Sequence, residues 1–200
     1  MSSTSKEAIL AAAKRTAQAH GYSGLNFRDL ADEVGIKAAS IYYHFPSKAD
    51  LGAAVARRYW QDTAAALEAM SADTPDPIGC LHRYPDVFRK ALEKDNRMCL
   101  CSFMAAEYDD LPEAVKQEVQ TFADVNVAWL SKLLSAAVAA EESEPRARAI
   151  FAAIAGAQLI ARSRSDISLY DALIDSYRSA GLLPASALRP RDTPDRKSVV

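Results

Sequence analysis

The stretch FRDLADEVGIKAASIYYHFPSKADL, residues 27–51, decides the fold of this chain because it predicts two short helices joined by a tight turn. Asn26 is a favourable N-cap for the first helix, and Asp29 places an acidic group in its first turn. Gly35 stands where that helix should end, since glycine adopts a left-handed backbone at little cost. This order is typical of a helix-turn-helix motif.

A second and a third helix complete the predicted motif. The second helix covers residues 38–44, with Ile41 on its inner face. Pro46 prevents its continuation because proline cannot donate a backbone hydrogen bond. Ser47 and Asp50 then have the spacing of a capping box, which predicts that another helix begins here.

The surface of this motif carries side chains that suit contact with DNA. Lysine ammonium groups and the hydroxyls of serine and tyrosine donate hydrogen bonds to phosphate oxygens. Three consecutive residues of a helix cannot all point inward, so part of the run Tyr42–His44 must be exposed. The alternative is a helical hairpin whose aromatic rings belong to the core. The residues predicted to bind DNA are Arg28, Lys37, Ala38, Ala39, Ser40, Tyr42, Tyr43, His44 and Lys48.

This part of the chain resembles the N-terminal domain of the TetR family of transcriptional regulators. The matching segments are EAILAAAKRTAQAHGY, residues 7–22, and LNFRDLADEVGIKAASIYYHFPSKADL, residues 25–51. They include a Gly-Tyr pair after the first helix, a glycine turn followed by isoleucine, and the sequence Tyr-Tyr-His-Phe-Pro-Ser-Lys. The resemblance is strong over the first quarter of the chain and extends further only as a helical layout.

The resemblance implies that residues 42–44 and Lys48 hold phosphates and that residues 37–40 face base edges. The family commonly has glycine or proline where Ala39 stands. Two adjacent alanines offer only methyl groups, which can contact thymine but cannot form the paired hydrogen bonds that distinguish bases. We therefore expect DNA shape to contribute to sequence specificity.

Composition and charge are compatible with a helical DNA-binding protein. The 200 residues carry a net charge of −2, but residues 1–50 hold six basic against five acidic side chains. The remainder holds 18 basic against 21 acidic side chains. Alanine is abundant and no alternating strand pattern is present, so the chain is predicted to be all-α with about nine helices. The expected domains are a DNA-binding domain over 1–50, an effector-binding and dimerisation domain over 51–183, and a disordered tail over 184–200.

The rest of the chain up to residue 183, which we call the body, is predicted to contain six helices after the first three. Proline and polar segments mark their ends, and we expect Pro145 at the start of the eighth helix, capped by Ser143 or Glu144. Pro77 is likewise expected in a first turn, after the cap Asp76. The predicted spans are 47–71, 78–94, 98–107, 113–141, the segment containing 147–163, and 167–180.

Two sets of body residues are predicted to have a function. In resembling family members the last two helices form a four-helix bundle across a twofold axis, which predicts a homodimer here. Its interface is expected to contain Ile150, Ile154, Ala157, Leu169, Leu173 and Tyr177. The middle helices are expected to enclose a small, mostly apolar effector, lined by Met98, Cys99, Cys101, Phe103, Met104, Tyr108, Phe122, Trp129 and Phe151. The alternative for both sets is an ordinary core.

The sequence thus predicts a cytoplasmic, ligand-responsive repressor that a small molecule releases from a palindromic double-stranded operator. We call the DNA-binding domain, residues 1–50, the head. The two heads of a dimer would occupy major-groove faces roughly 34–36 Å apart. We expect no signal peptide, membrane span, cofactor or metal site, and no enzymatic activity, because none of the corresponding motifs is present. A cysteine-based sensor of electrophiles or redox state, using Cys99 or Cys101, and an effector-independent DNA-binding protein are the alternatives.

Overall fold

The computed structural model of the protein describes residues 2–136 and 140–184. Over these ranges the fold is all-α, as predicted, and contains no strand. These ranges contain ten α-helices, but two of them, Pro77–Arg83 and Pro85–Glu93, are separated only by Tyr84 and correspond to one predicted helix. Counted as one, they give nine helices, so the expectation of about nine is confirmed. The helices are α1 Ser2–His20, α2 Phe27–Val34, α3 Ala38–His44, α4 Lys48–Asp73, α5 Pro77–Arg83, α6 Pro85–Glu93, α7 Leu100–Ala105, α8 Glu113–Leu134, α9 Ala140–Ser163 and α10 Ile167–Ser179, with a 3₁₀ turn at Tyr108–Asp110.

The predicted helix-turn-helix motif is present, with the expected caps. Asn26 Oδ1 accepts hydrogen bonds from the backbone N–H groups of Arg28 (2.8 Å) and Asp29 (3.4 Å), which would otherwise lack a partner in the first turn of α2. Gly35 ends α2 in the left-handed conformation with φ of 74°. Ile36 N–H then bonds back to the Ala31 carbonyl at 2.9 Å, and this bond closes the turn before α3.

Helix α4 connects the motif with the rest of the protein. Ser47 caps it by accepting a hydrogen bond from Asp50 N–H (3.1 Å) and donating one to Asp50 Oδ2 (2.7 Å), as the sequence predicted. Its 26 residues make a rod about 39 Å long, which packs against α1 and lies along α8. The predicted domain boundary at residue 51 falls in the first turn of this helix, so the two predicted domains share a continuous element.

The helix expected over residues 78–94 is interrupted at Pro85. Proline has no N–H to donate and its ring crowds the carbonyl four residues earlier, so a helix can break or kink at this position. Tyr84 keeps a helical backbone, with φ of −54° and ψ of −41°, and α6 resumes directly after it. The cap at the start of α5 is as predicted, since Asp76 accepts from the N–H groups of Ile78 (3.2 Å) and Gly79 (2.9 Å).

Three other predicted boundaries differ. Helix α7 covers only Leu100–Ala105 of the predicted 98–107, and α8 ends at Leu134 rather than near 141. Pro145 lies inside α9 instead of in its first turn, because the helix already begins at Ala140. The missing N–H of Pro145 removes one backbone hydrogen bond without ending the helix. Apart from Pro184, the predicted tail lies outside the described residues.

Several buried polar side chains in the body have hydrogen-bond partners. Tyr84 Oη donates to Asn126 Oδ1 at 2.8 Å, and Gln158 Nε2 donates to the Phe88 carbonyl at 2.7 Å. Glu118 accepts hydrogen bonds from Arg57 and from Trp60 Nε1 (2.7 Å), which ties α8 to α4. Burial alone would raise the pKa of Glu118, but these hydrogen bonds and the Arg57 charge outweigh it and lower the pKa. Within the described ranges no helix is long and apolar enough to cross a membrane.

Candidate nucleic-acid interface and body cavity

A groove of about 560 Å³ lies where the starts of α2, α3 and α4 meet. It brings together four residues that the sequence assigned to DNA binding, namely Arg28, Ala38, Tyr42 and Lys48. Leu25, Asn26 and Phe27 complete its lining. Cationic groups, a hydroxyl and the amino end of a helix are the donors that bind backbone phosphate, so the groove has the chemistry of a phosphate site.

Helix α3 is anchored by one face and exposes the other. Ile41 is fully buried, whereas 57 % of Tyr42 and 81 % of Tyr43 is exposed. The Tyr42 ring packs edge-on against Phe27 with centroids 4.6 Å apart, and this contact fixes the ring beside the groove. His44 is half-buried, with its ring 5.2 Å from that of Tyr43. Two large exposed aromatic side chains on a short helix indicate a surface made for a partner.

Lys48 is held in place before any DNA is bound. Its ammonium group donates to the Ser23 carbonyl at 3.0 Å and lies 4.8 Å from the centre of the Tyr22 ring. An ammonium group has three donors, so two remain for a phosphate at the groove. The side chain is therefore positioned in advance, which lowers the entropy lost on binding.

The remaining predicted DNA-binding residues lie around the exposed side of α3. Lys37 and Ala39 are exposed, and Ser40 is half-buried. Lys37 caps α3 through its backbone, since its carbonyl accepts from Ser40 N–H at 2.8 Å. Asn26 was predicted only as a cap and Phe27 was assigned no role, whereas both residues line the groove. Their position next to Arg28 was the available signal.

The body contains an apolar cavity of about 440 Å³ between α7, α8 and α9. Five of the nine predicted effector residues line it: Met98, Cys101, Tyr108, Phe122 and Phe151. Phe103 instead lines a neighbouring space of about 300 Å³. The other lining residues of the larger cavity are Ser102, Ala105, Val119, Gln120, Ala123, Ala155, Gly156 and Leu159.

The other three predicted effector residues do not line this cavity. Cys99 is buried and its N–H donates to Gln158 Oε1 at 3.0 Å, so it helps to fix the start of α7. Met104 is fully buried in the core. Trp129 stacks on Tyr84 with centroids 5.6 Å apart and lines a separate groove between α4 and α8. These placements are corrections, because residue type alone does not show which helix face meets a neighbour.

Several cavity residues that the sequence analysis missed follow a helical spacing. Met98, Ser102 and Ala105 recur at intervals of four and three residues, which places them on one side of the chain. Gly156 and Leu159 have the same relation on α9. The spacing was visible in the sequence, but which helix faces the cavity depends on tertiary packing.

The C-terminal turn of α1 is bound by residues next to this cavity. Gln18 and Met98 are joined by two hydrogen bonds of 3.3 Å, one from each residue to the other's backbone carbonyl. Glu107, the neighbour of Tyr108, accepts from the N–H groups of Tyr22 (2.5 Å) and Ser23 (3.1 Å). The wall of the cavity is therefore attached directly to the first helix of the head.

A further contact to this turn comes from α9. Arg162 donates to the carbonyls of Gln18 (3.3 Å) and Ala19 (3.0 Å), and its guanidinium lies 4.6 Å from the centre of the Phe103 ring. Carbonyls in the last turn of a helix have no partner within the helix, so this arginine caps α1. Partial burial lowers the pKa of Arg162.

All three cysteines are buried and free. Burial is the largest cause that raises the pKa of Cys99 and, more strongly, that of Cys101. A higher pKa lowers the fraction of thiolate, which is the reactive form. Cys101 lines the cavity and Cys99 does not, so the two thiols have different surroundings. In the part of the chain that the structure describes, no cluster of three potential metal ligands occurs.

The predicted dimer-interface residues fall into two groups. Ile150, Ile154 and Ala157 are almost completely buried within the single chain, so they belong to its core and cannot meet a partner. Their face of α9 packs on α8 and α6, which is the physical reason for the correction. Leu169, Leu173 and Tyr177 on α10 are half-buried. The exposed face of α9 carries Ala149, Ala152, Gly156, Leu159 and Ile160, none of which was assigned to the interface.

Comparison with known proteins agrees with this geometry. Residues 9–55 match the family of bacterial regulatory proteins, tetR family. The fold is similar to a TetR transcriptional regulator from Legionella pneumophila, with 30 % identity, a TM-score of 0.83, and coverage of 88 % of this chain and 96 % of that one. A TetR family regulator from Agrobacterium tumefaciens shows 25 % identity, a TM-score of 0.83, and coverage of 90 % and 98 %.

A third relative is similar in sequence over nearly its whole length. It is the HTH-type transcriptional regulator in the lacX 3′ region of Lactococcus lactis subsp. lactis, 25 % identical over an alignment of 187 residues that covers 88 % of this chain and 92 % of the relative. The matched segment 9–55 contains the groove and the exposed face of α3. Together with the Legionella relative, it shows that the chain belongs to the TetR family of DNA-binding transcriptional regulators.

Proposed function

We propose that the protein is a homodimeric repressor that binds a palindromic operator and leaves it when a small, mostly apolar molecule enters the body cavity. The observation that carries this proposal is the attachment of the cavity wall to α1. Met98 lines the cavity and exchanges two hydrogen bonds with Gln18, and Glu107 holds the turn that follows α1. A ligand that displaces these residues would move the head.

The size and lining of the cavity support the apolar part of this proposal. Its volume of about 440 Å³ lies within the range of roughly 300–1,000 Å³ that is usual for small-molecule sites. The lining consists of methionine, aromatic and small aliphatic residues with a few uncharged polar groups. An apolar molecule gains free energy there because it leaves water.

Helix α1 connects the wall of the cavity with the helices that would contact DNA. Helix α1 packs on α2 and α3, which carry the groove and the exposed tyrosines. A change at the C-terminal turn of α1 therefore alters the orientation of both helices. In a dimer, the spacing of the two heads must match successive major-groove faces about 34–36 Å apart, so a small rotation weakens binding.

The exposed apolar face of α9 supports the dimer. Ala149, Ala152 and Ile160 lie on its exposed side and line neither cavity, whereas Gly156 and Leu159 lie at its border with the body cavity. Small residues let two helices approach closely, and Ile160, which is 48 % exposed, adds apolar area at the same face. Half-buried Leu173 and Tyr177 on α10 extend this surface.

A titration of the purified protein with DNA from upstream of its own gene, with and without candidate small molecules, tests the proposal. We expect tight binding of a short duplex that contains an inverted repeat, two protomers per repeat, and release by a molecule that fits the cavity. Binding that no tested molecule alters would favour an effector-independent DNA-binding protein. No binding at moderate salt would contradict the proposal.

The cysteine-based alternative receives little support from the site. Cys99 and Cys101 are 1 % exposed, and burial raises the pKa of both thiols. A sensing thiol needs the opposite conditions, namely access to solvent and a nearby cation that stabilises the thiolate. The same titration in the presence of an electrophile distinguishes this alternative from reversible binding of an effector.

A further inference from the structure

Arg162 stands out among the residues that surround the body cavities because of its charge. The space of about 300 Å³ that it lines shares Met98, Ser102 and Leu159 with the larger apolar cavity, so the two spaces adjoin. Among all residues that line them in the described part of the chain, Arg162 alone is charged. The combined site is thus mostly apolar and has a single cationic residue in its lining.

This arginine has no acidic partner within the described residues. Its hydrogen bonds go to two backbone carbonyls, and its guanidinium lies over the face of Phe103. Of the other half-buried arginines, Arg89 binds Asp171 and Arg178 binds Asp175. Arg146 also donates to backbone carbonyls, but it lines neither of the two cavities. A partly buried cation without an anion loses solvation that carbonyl dipoles restore only in part. An anionic group at this position would restore it more fully.

We propose that the effector is an amphipathic acid, whose apolar part occupies the larger cavity and whose acid group binds Arg162. This inference rests on the proposed function and specifies the ligand of the same site. A carboxylate presents two oxygens that match the paired N–H groups of a guanidinium. The preference for an acid over a neutral molecule of the same length then comes from one side chain.

The same contact explains how the ligand would act on the head. In the free protein the two terminal nitrogens of Arg162 donate to the Gln18 and Ala19 carbonyls. A carboxylate that takes a pair of N–H groups from the guanidinium competes with these carbonyls for the orientation of the side chain, and it is the stronger acceptor. The last turn of α1 then loses its cap, and the position of the head is no longer fixed from α9. Ligand binding and head position are thereby linked.

Calorimetric titration of the DNA-free protein with decanoate and with decanol tests the proposal. We expect wild-type protein to bind decanoate roughly tenfold to a hundredfold more tightly than decanol, as one charge-assisted hydrogen-bonded pair provides. Arg162→Gln should bind both with similar affinity. Arg164→Gln is the matched control, since Arg164 is exposed, lies two residues further along and lines neither cavity; it should keep the wild-type preference.

Two further variants keep the test decisive if Arg162→Gln folds poorly. Arg162→Lys retains the charge and should keep most of the preference. Ser102→Trp should fill the space shared by the two cavities and abolish binding of both probes. Equal binding of decanoate and decanol to the wild type, no binding of decanoate, or an acid preference that survives in Arg162→Gln would each overturn the inference.

The failure of this inference is distinguishable from failure of the proposed function. The calorimetric preference is measured without DNA, so it does not depend on repression. If the protein binds its upstream DNA and a neutral apolar molecule releases it, the proposed repressor is supported and the proposal of an acidic effector is contradicted. If decanoate binds through Arg162 but no DNA is bound, the ligand assignment stands and the proposed repressor does not.

Discussion

The carboxylate of Glu107 occupies the space that a side chain at Gly21 would need. A Cβ at this glycine would overlap both carboxylate oxygens. Gly21 also has a left-handed backbone, with φ of 69°, which reverses the chain after α1. The close approach lets Glu107 accept hydrogen bonds from the N–H groups of Tyr22 and Ser23. Gly21 in the head and Glu107 in the body thus form one close contact between the two parts of the chain, which we call the joint.

The first prediction concerns this joint. Gly21→Ala should lower the free energy of unfolding more than Gly181→Ala, measured by urea denaturation. Both glycines have positive φ, so alanine at either position costs about 1–2 kcal/mol of backbone strain. Gly181 has open space around its Cβ position, whereas Gly21 would also displace Glu107. The lost hydrogen bonds should add about 1–3 kcal/mol.

Equal destabilisation by the two substitutions would show that Glu107 contributes nothing beyond the local backbone. Glu107→Gln gives an independent measure, because the amide keeps the size of the side chain and loses its charge. It should destabilise the protein in the same direction as Gly21→Ala and by a smaller amount.

The second prediction concerns the phosphate contacts at the groove. Tyr42→Phe keeps the ring contact with Phe27 and removes only the hydroxyl. It should weaken binding to specific and unrelated duplexes by a similar factor, because a phosphate contact carries no base information. Lys48→Ala should reduce the slope of log affinity against log salt by about 1. Fluorescence anisotropy over a salt series measures both.

A change in base preference with unaltered salt dependence would contradict the assignment of Tyr42 and Lys48 to phosphates. Lys48→Ala also removes the bond to the Ser23 carbonyl, so its thermal stability must be compared with that of the wild type. Lys132→Ala, on α8 and distant in sequence from the motif, is the control for general loss of positive charge.

The features that were predictable from sequence are those whose causes are local. Asn26, Gly35, Ser47 and Asp76 act on backbone groups within a few residues of themselves, so spacing along the chain suffices to identify them. The exposed tyrosines of α3 are of the same kind, because a helix cannot bury three neighbours at once. The motif and its outward chemistry were predictable for this reason.

The features that sequence missed depend on which helix meets which. Ile154 and Ile160 are chemically alike and both lie on α9, but the first is fully buried and the second is 48 % exposed. Arg162 and Glu107 form their hydrogen bonds only because α9 and the segment after α7 lie next to the end of α1 in the folded chain. These contacts join residues 84 to 144 positions apart, beyond the range of any spacing rule.

The third prediction concerns the pH dependence of stability. Glu118 has a lowered pKa in the folded protein, so it binds protons more weakly there than in the unfolded chain. Its contribution is present above about pH 4.5 and is lost as the pH falls through the folded value. Glu118→Gln should therefore destabilise the protein at neutral pH and flatten the loss of stability on acidification. Thermal unfolding between pH 3 and 7, roughly spanning this titration, measures it.

Asp124→Asn is the matched control, since Asp124 is an exposed acid on the same helix. It should leave both the neutral-pH stability and its acid dependence close to those of the wild type. If the stability of Glu118→Gln and of the wild type depended on pH in the same way, the hydrogen bonds from Arg57 and Trp60 would not stabilise the charged carboxylate more than the protonated one.

The fourth prediction concerns the exposed face of α9. Ile160→Glu should convert the protein from a dimer to a monomer in sedimentation equilibrium, because a carboxylate at a closely packed apolar interface loses its hydration without gaining a partner. Gln117→Glu makes the same change of charge on an exposed position of α8 and should leave the dimer intact. Ile154→Ala should instead lower the stability of the folded chain by about 2–5 kcal/mol, since Ile154 is buried in its own core. A wild-type monomer would contradict the proposed homodimer, and a dimer that tolerates Ile160→Glu would place the twofold contact elsewhere on the surface.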